Sequence, residues 1–526
     1  MSIEKNQYKD ILNDLNIGNS IAEQDSILEA ARVETPTFDG VITDRYDFII
    51  GRKGAGKTAI FKILKILSPL LLIRNKIVIL SGVNSSGESI FNQFKERLSK
   101  FSEQDFETFW KFYFISLIYN DFIKNDKFSE SLVQCKEEID KFIIECEKAG
   151  IPNVPKKQDK SQMIEWILGI FSNKIKSVSM KLNFDVNTPS LLGLEPKINF
   201  KDSDDSEEKK EGVKSLYVHA IGKALSDLLK KSGFRIWIIL DRLDEVFNRY
   251  SRVEFRGLRG LLIAYKNFTI DGRGDLLRIK LFLRDDIVSF LTDDKIYKKY
   301  FRQGNIPPLP AATHIFAKQS PTLNWDEDEI EQLILNRLML SKKLRLYLNI
   351  PKEQNDEDVK DLLRSKEQRR VYWNKIFPKI LQSSPSLKWI FTRLKDANGI
   401  VTPRSVIDTL EGAINYQKKK MVVDFKDCEE IFSVDSIKNG LKLASINKLE
   451  KDIYNEFPGE QESIKKIGKF GKIKLTKSDL QKIYGKNWEE IVLGLSRIGI
   501  IRYVKDSGTY RVEFLFRPAL DMAYSS

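Results

Sequence analysis

The sequence predicts an α/β protein: a parallel sheet with helices on both faces and a mostly helical insertion, then a helical lid and a C-terminal winged-helix-like domain. Three observations lead there. Short apolar runs rich in β-branched residues alternate with helical patterns. A basic, glycine-rich turn links the first of these runs to a helix. A later run ends in an aspartate.

The strands come first. Arg45 to Ile50 reads as a strand and Lys57 to Leu67 as the helix after it. "KIVILSGV" (Lys76 to Val83), "FRIWIILD" (Phe234 to Asp241) and "RIKLFLR" (Arg278 to Arg284) read as buried parallel strands. From about 84 to 213 the alternation stops. "DFETFWKFYFISLIYNDFI" (Asp105 to Ile123) repeats aromatics at helical spacing, the pattern of a packing face. "KDSDDSEEKKEG" (Lys201 to Gly212) has no apolar residue and reads as a loop or linker.

Helices follow Arg284. "NWDEDEIEQLILNRLML" starts with Asn324 or the acids after it as cap, and Arg337 within it is either a weaker companion to the arginines singled out below or the partner of a nearby acid. "GIVTPRSVIDTLEGAI" takes Thr402 as N-cap and Pro403 as first helical residue. The tail reads helix, short strand ("GKIKLT"), two helices ("KSDLQKIYG", "NWEEIVLGLSRIG") and a hairpin turned at "DSG". The expected divisions are an N-terminal arm over 1–40, a core over 41–320 with its insertion at about 84–213, a lid over 321–444 and the winged-helix-like domain over 445–526. At 526 residues, three or four domains is the ordinary count.

The turn is the first chemical signal. "GRKGAGKT" (Gly51 to Thr58) matches G-x-x-x-x-G-K-[ST], with a strand before it and a helix after it. Its glycines let backbone N–H groups face an anion, and the helix N-terminus adds positive potential. The match reads as the P-loop of a nucleoside triphosphatase, against the plainer alternative of a glycine-rich turn that binds no nucleotide. Gly51, Arg52, Lys53, Gly54, Ala55, Gly56, Lys57 and Thr58, with Ala59 next, form the expected nucleotide-binding stretch. Lys57 is expected at the β- and γ-phosphates and Thr58 at Mg²⁺.

The second signal is "IWIILDRLDEVF". Asp241 ends a buried strand, where a carboxylate meets Mg²⁺, usually through water. Glu245 is the first choice for polarising the attacking water and Asp244 the second. Acids are also favoured at a helix N-terminus for its dipole alone. The third signal is arginine. Arg284 ends the "KLFLR" strand and Arg404 opens the helix after "TP". Either can report on a γ-phosphate or serve as a plain structural pair.

"GRKGAGKTAIF", "LDRLDE", "LFLRDDI", "LNWDEDEIEQLILNRL" and "TPRSVIDTL" occur in this order. Together they make the chain resemble the bacterial P-loop ATPases of the FunZ type, which are similar to the signal-transduction ATPases with numerous domains (STAND) and the KAP ATPases. The resemblance implies ATP as ligand, an ATPase core with a lid and a winged-helix-like module, and sensor roles for Arg284 and Arg404. It also implies a regulator, such as a component of anti-phage defence, working as a homo-oligomer or through a separate effector. Two features depart from the pattern. Arg242 stands where many related ATPases carry a second acid, and the insertion between the two nucleotide motifs is long.

Composition narrows the partners. A net charge of +13 admits nucleic acid or an anionic surface, and a solvated Lys-rich helical protein gives the same balance. There is no run of about 18 uncharged apolar residues, so no membrane span is expected. Three cysteines without metal or redox spacing suggest a reduced cytoplasmic setting. Two distant histidines, His219 and His314, argue against a histidine metal site. The expected function is a Mg²⁺-dependent ATP switch. The alternatives are a DNA-binding ATPase using the basic stretch Ser463 to Lys482, and a nucleotide-binding scaffold without turnover.

Overall fold

The computed structural model describes residues 4–82, 95–128, 130–149, 151, 161–172, 218–243, 251–269, 275–293, 316–351, 353–423 and 430–522. The expected linker Lys201 to Gly212, together with Asp244, Glu245, His314 and Cys428, lies outside them. The chain forms two units: Thr37–Ile50 with Ile60–Thr322, and Met1–Pro36 with Gly51–Ala59 and Leu323–Ser526.

The first unit holds a four-stranded parallel sheet. Its strands are β1 (Phe48–Ile50), β2 (Ile77–Gly82), β3 (Arg235–Leu240) and β4 (Leu277–Leu283), in the order β1-β4-β3-β2. Ile50 lies opposite Leu283, and Leu240 opposite Leu281. Every residue of β4 is buried, which is why these strands read as continuous apolar runs rather than alternating ones. Arg278 and Lys280 are the charged exceptions: Arg278 pairs with Asp47 at 3.5 Å, and Lys280 is the more deeply enclosed of the two. Its ammonium sits over the Trp237 ring at 4.3 Å and donates to Asp44 (3.0 Å) and Asp47 (3.3 Å), so the buried charge is paired.

The helix after the glycine turn, α1 (Lys57–Asn75), runs beyond the expected end at Leu67 and passes through Pro69. Pro69 is on the exposed side, where the carbonyl its missing N–H leaves behind meets water. β1 starts later than expected. The Arg45 and Tyr46 N–H groups donate to the Gly40 carbonyl (2.8 and 3.0 Å) and so close the preceding helical turn.

Within the insertion, α2 (Glu103–Ile118) opens with a Ser102/Asp105 capping box and buries Phe106, Phe109, Trp110, Tyr113 and Phe114. It packs against α3 (Arg252–Thr269). The Trp110 indole N–H donates to the Gly257 carbonyl at 2.9 Å. A Cβ on Gly260 would lie 2.6 Å from Phe106 Cβ, so the helices meet where a side chain is missing. The aromatics are therefore core. Cys135 and Cys146 are buried there as free thiols, and burial pushes the Cys146 thiol up.

The second unit has its own core. The helix Lys5–Asp14 buries Tyr8, Ile11 and Leu12, and the Tyr8 hydroxyl donates to the Ile431 carbonyl at 2.7 Å. The helix α4 (Glu327–Leu338) starts at a capping box of Asp326 and Glu329, the acids after Asn324. Its Arg337 donates to Asp25 at 2.6 Å, both buried. Next come α5 (Pro403–Val423) and α6 (Val434–Asn447). They cross so closely that a Cβ on Gly440 would lie 2.1 Å from the Thr409 carbonyl oxygen. A π-helical turn, Lys448–Ile453, continues α6. The tail holds α7 (Gln461–Phe470), β5 (Lys474–Leu475), α8 (Lys477–Tyr484), α9 (Trp488–Arg497), β6 (Ile501–Val504) and β7 (Thr509–Val512). Its antiparallel sheet has the order β5-β7-β6. No described helix is long and apolar enough to cross a membrane.

Candidate functional site

The glycine loop follows β1 directly. Gly54 and Gly56 have φ of +79° and +105°, a conformation L side chains rarely adopt. Successive N–H groups in such a turn form a concave anion-binding nest. The Ala55 N–H donates to the Arg52 carbonyl at 3.1 Å, closing the turn. Lys57 and Thr58 then open α1, whose first N–H groups have no intrahelical partner. The Lys57 ammonium folds back onto the loop and donates to the carbonyls of Gly51 (2.7 Å) and Arg52 (2.9 Å).

Contacts from the same unit hold this loop. The Trp325 indole N–H donates to the Ala55 carbonyl at 2.9 Å, and its ring lies 3.7 Å from where a Cβ on Gly56 would be. Arg52 donates to Asp396 at 2.6 Å. Lys53 lies 3.2 Å from Glu456 and 3.6 Å from Asp452. Arg404, the candidate second sensor, runs along the loop. Its Cβ and Cδ lie 3.1 and 3.5 Å from where a Cβ on Gly54 would stand, and its guanidinium donates to Asp452 at 2.7 Å.

Asp452 is 3% exposed and faces Lys448, Arg404 and Lys53. Burial pushes its carboxyl up, but these three cations outweigh that effect and hold it below the ordinary aspartate value.

On the sheet, β1, β4 and β3 are neighbours whose C-terminal ends share one edge. Asp241 follows β3 and is buried at 5% exposure. Arg284 follows β4, is buried, and makes a two-pronged pair with Asp286 (2.9 and 3.2 Å). Arg242, just after Asp241, has φ +56°, a left-handed backbone that costs any residue other than glycine. Asp244 and Glu245 lie outside the described residues. Among the described residues no group of three or more His, Cys, Asp or Glu side chains is arranged to hold a metal ion.

No protein-family model and no curated protein matches the sequence. Among solved structures, the ORC2 protein of Aeropyrum pernix, in its ADPNP and ADP complexes, aligns over 95% of this chain and 97% of that one. Identity is 10% and the TM-score 0.39, too low to carry any conclusion about this chain.

Four residues around the loop escape the sequence motifs: Trp325, Asp396, Asp452 and Glu456. Trp325 leads the "LNWDEDEI" segment, which gives a visible signal without a role. Asp452 and Glu456 lie in a charged helical stretch and Asp396 in the turn after Leu394, settings that resemble any solvated surface. Each finds the loop only through pairing across more than 300 positions, which leaves no local pattern.

Proposed function

We propose that the chain is a Mg²⁺-dependent P-loop ATPase acting as a nucleotide switch. The observation that supports this most is the loop. Two left-handed glycines lie between a buried strand and a helix N-terminus, with the Lys57 ammonium folded inside. Such a loop binds phosphate by backbone N–H groups and one positive charge. Arg52, Lys53, Gly54, Ala55 and Gly56 supply its backbone. In this reading Lys57 meets the β- and γ-phosphates, and Thr58 and Asp241 supply hard oxygen ligands to Mg²⁺. Glu245, or Asp244 after it, polarises water. Arg284 and Arg404 report the γ-phosphate, and the Arg284–Asp286 pair opens when it does so. Residues 321–444 act as the lid and 445–526 as a winged-helix-like module. The switch works in the cytoplasm as a homo-oligomer or on a separate effector, in line with the FunZ-type resemblance and its link to anti-phage defence.

The test is mass in solution and protease sensitivity with ATP, ADP and no nucleotide, on the native protein and Lys57→Ala. The switch reading expects an ATP-dependent change in assembly or cleavage that K57A lacks. Binding without any such change leaves only a scaffold.

One observation favours a DNA-binding version of the same ATPase. Lys465, Lys466, Lys469 and Lys474 are exposed along α7 and β5, a phosphate-facing pattern. Against it, α9 buries Trp488, Val492 and Leu495 and carries Glu489 and Glu490 in its first turn, which suits packing rather than groove reading. A salt-dependent shift of duplex DNA decides between the two.

A further inference from the structure

The acid that meets Arg404 is placed with unusual definition. Asp452 stands in the π-helical turn Lys448–Ile453, a widened turn of the kind that collects at functional positions. Its two oxygens are used separately. One accepts from Arg404 at 2.7 Å and also faces Lys53 at 3.6 Å. The other accepts from Lys448 at 3.1 Å. With both oxygens engaged and the residue buried, the carboxylate has one orientation. Arg404 would otherwise sample many rotamers at the start of α5. Here its stem follows the backbone of Gly54, and Asp452 fixes where the guanidinium ends.

We propose that Asp452 is a positioning residue: it holds Arg404 along the phosphate loop so that the guanidinium is set for the terminal phosphate of a bound triphosphate. This rests on the nucleotide reading above. Asp452 touches no ligand in this scheme and acts through Arg404. A guanidinium fixed in advance loses less side-chain freedom on meeting the phosphate. Its effect falls on ATP and not on ADP, which lacks the phosphate concerned. A plain structural pair would support both nucleotides equally.

The experiment is the ratio of ATP to ADP affinity, titrated with Mg²⁺ on the full chain. Arg404→Ala and Asp452→Asn are each expected to cut the ratio about tenfold, the scale of a typical coupling between sites. R404A/D452N is expected to match R404A alone, because both changes remove one interaction. Asp452→Glu keeps the carboxylate and is expected to recover most of the ratio. Equal loss of ATP and ADP affinity in D452N, or additive losses in the double variant, overturns the positioning role while leaving the nucleotide reading intact. A native protein that binds neither nucleotide overturns both.

Discussion

Arg52 donates to Asp396 at 2.6 Å, so a residue inside the glycine loop is tied to a turn 344 positions further on. That turn is itself fixed. The other Asp396 oxygen accepts from the N–H groups of Asn398 (2.8 Å) and Ile400 (3.0 Å). The loop of this protein is thus held by side chains as well as by its glycines, and several outcomes depend on that.

Asp396→Ala leaves the Arg52 guanidinium without its carboxylate in a half-buried place. The expected cost is about 2 kcal/mol, the scale of a hydrogen bond to a charged group. In an R52A/D396A cycle the coupling is expected at about 1 kcal/mol. Urea unfolding of the four proteins measures it, and a coupling near zero would mean the pair is only a surface contact.

Trp325→Phe removes one N–H and keeps most of the ring. Losing the bond to the Ala55 carbonyl is expected to cost about 1 kcal/mol. Because that carbonyl shapes the loop, nucleotide affinity is expected to fall about fivefold. Titration with a fluorescent ATP analogue reads the change, and unaltered affinity would remove Trp325 from the site.

Arg242 is the opposite case, a residue whose backbone costs stability. Arg242→Gly relieves the left-handed strain and is expected to raise stability by about 1 kcal/mol, seen as a higher midpoint in thermal unfolding. Lowered stability would show that the arginine side chain contributes more than its backbone loses.

Much of this arrangement can be read in the sequence, and the readable parts share a cause. Strands buried on both faces become continuous apolar runs, so β2, β3 and β4 are visible as such. The glycine loop is a local motif, set by left-handed backbone conformations that favour glycine at 54 and 56. Of the two readings open for Arg337 in the sequence, the structure shows the acid pair, with Asp25 at 2.6 Å. Other features depend on partners far along the chain. Pro69 looks like a stop signal, yet burial of Leu64 and Leu71 carries α1 past it. Asp452 looks like any acid in "NKLEKDIYNEF" until Arg404, Lys448 and Lys53 gather round it.

The pH dependence of stability follows from that gathering. Asp452 has a folded-state pKa below its ordinary value of 3.8. Its charge therefore stabilises the fold above pH about 4, and the contribution is lost as pH falls through the lowered folded value. Native protein is expected to exceed Asp452→Asn in stability at pH 7, with the gap closing toward pH 3. Denaturant midpoints across that range test the sign, and a gap that widens in acid would contradict it.

In the proposed function the loop from Gly51 to Thr58 holds the phosphates of ATP through Lys57. Calorimetric titration of ATP with Mg²⁺ into the native protein and Lys57→Ala tests it most directly. One site per chain is expected, weakened about 100-fold or more in K57A by loss of charged hydrogen bonds. No heat with the native protein, or equal affinity in both, would contradict it.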